Sequence, residues 1–257
     1  MVFAKWHIGY IVCFMPETKR NTPENYIRLR RLARRHHETL WLGTRFLAEP
    51  DREIAEAVLG FDGELLRIAA SVSEPMIGQI RYQWWSDQLE TLAVTPPDQL
   101  QSEAMLLKPF LDRNTKSLSA VLDQLVASRE QAFLNLKNGT IAFDHGKLFS
   151  ALLIGLGEKD FARSHGDTLG ALYAFTDVKE HHHASTDQLR EFAEVVVSCP
   201  ERVWPLLSIF NLLPDWLSRK PTTGLAKRWK VWTGFIAGEA RLQQKVLALA
   251  DRIDQAG

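Results

Sequence analysis

Residues 73–92 read SEPMIGQIRYQWWSDQLETL, and this stretch decides how the chain around it is read. Ser73 is a good N-cap, and Pro75 suits a first helical turn, where its missing N–H has no bond to lose. Ile77, Ile80 and Trp84 fall at helical steps and are followed by Trp85, Leu89 and Leu92, which lays a broad apolar stripe along one face. Arg81 lies on that stripe. A guanidinium there must meet a carboxylate, a phosphate or a ring face, because unpaired buried charge costs too much. It is expected to brace the fold by pairing with a protein acid, and Asp62, Glu64 and Asp87 are the nearest in sequence.

Working outward, the chain has 257 residues, 46% hydrophobic and 24% charged, enough to bury a full core in one domain. Its formal net charge is zero, so no global basic field points to nucleic acid. Cys13 and Cys199 make no metal or disulfide pattern, which suits a reducing compartment and argues against secretion. No apolar run reaches the roughly 18 residues that span a bilayer.

Ile54, Val58, Phe61, Leu65 and Ile68 keep helical spacing, and so do Leu118, Leu122, Leu125, Phe133 and Leu136. Further helices are expected over 147–156, 167–180, 203–217 and 234–254, with breaks at Pro96-Pro97 and Asn138-Gly139. Residues 195–197, three valines, form an isolated β-like run too short for a sheet. The expectation is an all-α fold in a single helical domain over 38–257, preceded by an arm over 1–37.

That arm joins an apolar tip, 8–15, to a basic helix carrying Arg28, Arg30, Arg31, Arg34 and Arg35. It reads as a membrane or partner contact, as an organellar targeting segment, or as a first structural helix with a solvated charged face. As a contact arm, removal of 1–37 should leave helicity nearly intact.

The wording S-E-P-x-x-G-x-I-R-x-Q-W-W-x-D-x-L resembles the squalene/phytoene synthase family. Residues 39–61, TLWLGTRFLAEPDREIAEAVLGF, resemble the paired helices that precede this segment in that family, and weaker likeness runs to about residue 238. The resemblance implies an isoprenoid-synthase-like helical fold. It also implies two D-x-x-x-D motifs, whose aspartates hold Mg²⁺ against a substrate diphosphate. Carried over, the first pair falls on Leu66 and Ala70 and the second on His181 and Ser185, so the carboxylates are missing. Asp62, Glu64 and Asp177 lie nearby without completing either pair, and Arg45, Arg81, Trp84 and Trp85 become pocket or structural residues.

The run Glu180-His181-His182-His183 cannot supply a full metal site, since consecutive helical side chains diverge by about 100°. It reads as a polar helix end. There is no G-x-S-x-G, P-loop, G-x-G-x-x-G or C-x-x-C.

The resemblance is strongest to the family's non-catalytic branch, the mitochondrial complex I assembly factor and its alphaproteobacterial relatives. It therefore implies a pseudoenzyme without metal or cofactor, acting as assembly factor or accessory subunit of a respiratory membrane complex. Its setting would be the mitochondrial matrix or inner-membrane surface, or a bacterial cytoplasm or inner-membrane surface. Its partners would be proteins of that complex and the membrane surface, with an isoprenoid or lipid as a further ligand class and no nucleic acid. Two other readings stay open: a divergent prenyl transferase using Asp62, Glu64 and Asp177, and an isoprenoid- or lipid-binding module without turnover.

Overall fold

The computed structural model describes residues 24–92, 115–137, 144–176, 184–218 and 222–255, and among them the chain is all-α without a strand. In order the helices are α1 (Glu24–His36), α2 (Glu38–Thr44), α3 (Asp51–Ser71), α4 (Pro75–Leu92), α5 (Thr115–Lys137) and α6 (Gly146–Gly155). There follow α7 (Lys159–Tyr173), α8 (Thr186–Val197), α9 (Trp204–Leu207), α10 (Leu213–Leu217), α11 (Gly224–Ala237) and α12 (Glu239–Asp254). Short 3-10 segments, Ala174–Thr176 and Ser208–Leu212, follow α7 and join α9 to α10. None of the described helices is long and apolar enough to cross a membrane.

Helix α3 is the hub, in contact with α1, α2, α4, α5 and α6. Ile54, Val58, Phe61, Leu65 and Ile68 are buried as their spacing requires, but Ala55, Ala57 and Leu59 are buried too. A helix enclosed on every side takes its polar residues inside with it, and Glu56, Asp62 and Glu64 are buried on α3. This enclosure creates the polar cluster described below.

Helix α1 lies against α3 with Leu29 and Ala33 fully buried. Gly60 permits the approach, since a Cβ there would sit 2.3 Å from the carbonyl oxygen of Leu29. The arm expected over 1–37 therefore divides: residues 24–36 belong to the helical body, and the tip at 8–15 lies outside the described residues.

The helix read first in the sequence, α4, starts at Pro75 and is turned differently from the expectation. Gly78, Tyr82, Trp85 and Leu89 face inward, while Met76, Ile77, Ile80 and Arg81 are exposed. Tyr82 donates from its hydroxyl to the Leu65 carbonyl at 3.0 Å, and the Trp85 ring meets Phe61 edge-on at 5.3 Å. Trp84 is half-buried with its ring 4.7 Å from that of Trp85. Both sides of α4 carry apolar residues, and the neighbours chose between them.

Four other expectations change, the first being the helix expected over 203–217, which is α9, a 3-10 segment and α10. Val195 to Val197 close the helix α8 rather than a strand. Helix α7 begins at Lys159, well before residue 167. The final helix is two, because Gly238 adopts φ 82°, a left-handed conformation that ends α11 and opens α12. The breaks at Pro96-Pro97 and Asn138-Gly139 lie outside the described residues.

Candidate functional site

The acids of α3 collect arginines from α1, α3 and α5 and from just past α2, and a histidine from the α1–α2 junction. Asp62, with no exposed surface, accepts from Arg129 of α5: Nε donates to Oδ1 at 2.6 Å and Nη2 to Oδ2 at 3.2 Å. The third guanidinium nitrogen, Nη1, donates to the Asp144 carbonyl at 2.9 Å. On the other side His37 Nε2, from the α1–α2 junction, lies 2.8 Å from Asp62 Oδ2. A bidentate fork is the arrangement in which a planar guanidinium binds a carboxylate best. Burial works to raise the pKa of Asp62, but the Arg129 guanidinium and the His37 ring overcome it and hold the carboxyl far below the usual carboxylate range.

Glu56, also fully buried, sits in a second ring of donors. Tyr26 donates from its hydroxyl to Oε2 at 2.9 Å, Arg30 Nε lies 3.3 Å from the same oxygen, and Arg45 and Thr44 approach Oε1 at 3.4 and 3.5 Å. Burial, then the neighbouring Glu56 charge, push the Tyr26 hydroxyl pKa up, so it stays a donor. Glu64 is bound by Arg28 at 3.0 Å and by Arg67 one turn on. Burial opposes ionisation there as well, and Arg67 and Arg28 outweigh it, leaving the carboxyl below its ordinary value.

The residues singled out in the sequence are thus distributed unevenly. Asp62 and Arg45 lie in the cluster, and Arg28 and Arg30 join it from α1 instead of standing free for a membrane or partner. Arg31, Arg34 and Arg35 are exposed. The expected partners of Arg81 are engaged elsewhere: Asp62 by Arg129, Glu64 by Arg28 and Arg67, and Asp87 as acceptor from Gln83 at 2.8 Å. Leu66 is half-buried and Ala70 exposed, so the face running from Asp62 through these positions climbs from core to surface. Ser185 caps α8: its hydroxyl accepts from Gln188 N at 3.1 Å, and the Gln188 side chain accepts from Ser185 N at 3.0 Å. Asp177 and His181 lie outside the described residues, as does the rest of the histidine run. Among the described residues no three His, Cys, Asp or Glu side chains converge to hold a metal.

Sequence reasoning missed Glu56, His37 and Arg129. A signal for Arg129 existed: it stands between Leu125 and Phe133 on the apolar stripe of α5, four residues from each. The physical demand placed on Arg81, a stripe arginine seeking an acid, is met by this one. Nothing local marks His37 as reaching Asp62.

His145 lies beside the cluster, its ring edge-on to Tyr173 at 5.1 Å. Burial, reinforced by the positive Arg129 and by His37, lowers its pKa from 6.5 to about 3, against a smaller opposing pull from Asp62. A base with a depressed folded pKa binds protons in the unfolded chain first, so its contribution to stability is lost as pH falls below 6.5. Urea unfolding between pH 7 and pH 5 should show the protein weakening by about 2 kcal/mol in total from this group, with the slope steepening below pH 6.5. His145→Gln should flatten that slope, and an unchanged slope would place the titration elsewhere.

The arrangement does little acid–base chemistry. Asp62 and Glu64 are held in the carboxylate form by the arginines around them, and His145 beside them has its pKa lowered to about 3. No family model, no curated protein and no solved structure matches this chain.

Proposed function

We propose that this chain is a non-catalytic, squalene/phytoene synthase-like protein that acts as an assembly factor or accessory component of a respiratory membrane complex, in a mitochondrion or at a bacterial inner membrane. One observation carries the non-catalytic half: the acids of α3 are closed by protein side chains. Mg²⁺ bound to a diphosphate needs carboxylates free to coordinate it, whereas Asp62 is locked by Arg129 and His37, and Glu64 by Arg28 and Arg67. Freeing Asp62 for a metal would leave the Arg129 guanidinium, 1% exposed, without its acid. The accessory half is supported by large apolar side chains left on the surface of α4, where Met76, Ile77 and Ile80 are 72%, 43% and 63% exposed. Patches of that kind mark contact with other proteins or membranes.

The test of catalysis is pyrophosphate release from farnesyl or geranylgeranyl diphosphate with Mg²⁺. Release should equal that of a heat-killed control, and a clear excess overturns the reading. Affinity purification of the tagged protein from solubilised membranes should bring down subunits of a respiratory complex, and their absence removes the proposed role.

A further inference from the structure

Helix α11 carries a second apolar stripe, on the side turned away from the body. Leu225, Trp229, Trp232 and Ile236 recur at helical steps, and Leu225, Trp229 and Ile236 are 81%, 62% and 55% exposed. Trp232 is half-buried, its ring 4.9 Å from that of Trp229. The rotation of α11 is fixed by its opposite side. Val231 and Gly234 are buried, Phe235 stacks on Phe46 with ring centroids 4.5 Å apart, and Gly234 packs so closely on Asn211 that a Cβ there would meet it at 2.3 Å. The stripe therefore cannot turn inward without breaking that seam.

Charge decides what covers it. Lys227, Arg228 and Lys230 lie on α11, which contains no acid. Lys227 bonds Glu38 of α2 at 2.6 Å and Lys230 bonds Asp215 at 2.7 Å, while Arg228 is exposed. The same α2 carries Trp41, over whose ring the Arg34 guanidinium lies at 5.5 Å, so α2 is shared by the basic end of α1, with Arg34 and Arg35 exposed, and the N-terminal half of α11. Cations outnumber Glu38 and Asp215 on this flank. A helix with tryptophans on one face and cations beside them is built to lie in the headgroup layer of an anionic bilayer, rings at the interface and cations at the phosphates.

We infer that α11 is a membrane-docking helix, inserting Leu225, Trp229 and Ile236 into an anionic lipid surface while Arg228 and the exposed Arg34 and Arg35 bind lipid phosphates. This rests on the reading of the chain as a component at a membrane surface, and it names the face that meets the lipid. The test is co-sedimentation of the full chain with vesicles of phosphatidylcholine alone and of phosphatidylcholine mixed with phosphatidylglycerol. Binding is expected to the mixed vesicles only, weakened by added salt and accompanied by a blue shift of tryptophan fluorescence. Leu225→Ser/Trp229→Ser/Ile236→Ser alters exposed side chains, so its circular dichroism and Tm should match the parent while vesicle affinity falls at least about tenfold. Arg228→Glu should weaken binding to the mixed vesicles alone. Parental affinity in the triple variant overturns the assignment of α11 and leaves the membrane reading standing. No vesicle binding by the parent, or self-association that the triple variant abolishes, overturns the lipid as occupant without touching the pyrophosphate and co-purification tests.

Discussion

Arg129→Ala is expected to destabilise the fold by about 3–5 kcal/mol, the usual cost of stripping a buried carboxylate of its partner. Asp62 has 0% exposure and Arg129 1%, and the guanidinium also holds the Asp144 carbonyl, so water cannot take its place without opening the interface of α3 with α5. Equilibrium urea unfolding measures the loss as a shift in midpoint. Asp62→Leu/Arg129→Met removes both charges while keeping volume, and it should recover most of that loss, because a matched apolar pair escapes the desolvation that the ion pair suffers. The acid limb gives a second check. A carboxyl whose folded pKa is depressed contributes stability above its unfolded value, about 3.9, and loses it as pH falls through the folded value. Arg129→Ala should remove that part of the acid slope. A midpoint equal to the parent's would mean that Arg129 does not carry the Asp62 charge.

The second large effect concerns α1. A chain starting at residue 24 is expected to fold, and one starting at residue 38 to lose its cooperative transition. Deleting 1–37 removes Leu29 and Ala33 from the core and bares the glycine-marked face of α3 to water. Burial of one such leucine contributes about 1.5–3 kcal/mol. The deletion also strips Tyr26 and Arg30 from the fully buried Glu56, and Arg28 from Glu64. Together these approach the roughly 5–15 kcal/mol by which a domain of this kind is stable at all. Thermal unfolding followed by far-UV circular dichroism decides it. A chain over 38–257 that melts like the full chain would make residues 24–36 an appendage after all.

Much of this fold is legible in the sequence because helical periodicity is a local property. The spacing of Ile54, Val58, Phe61, Leu65 and Ile68 places α3, and Leu118 to Leu136 places α5, without any knowledge of what they touch. The same reasoning states that an arginine on an apolar stripe needs an acid. It stops where a residue has two faces to choose from. Helix α4 has Ile77, Ile80 and Trp84 on one side and Gly78, Tyr82, Trp85 and Leu89 on the other, and the interior side follows from where α3 and α5 lie.

The candidate cluster depends on contacts far apart in the chain. Asp62 and Arg129 are separated by 67 positions, and Glu56 gathers donors from α1 and from the C-terminal end of α2. By itself the sequence determined the class, the spacing that places α3 and α5, and the demand that buried charge be paired. The tertiary structure alone decided that Arg129 and not Arg81 meets that demand, that α1 is core and not arm, and that α11 turns its tryptophans outward. Periodicity tells which residues share a face, while the side buried depends on the surfaces that neighbouring helices bring to it.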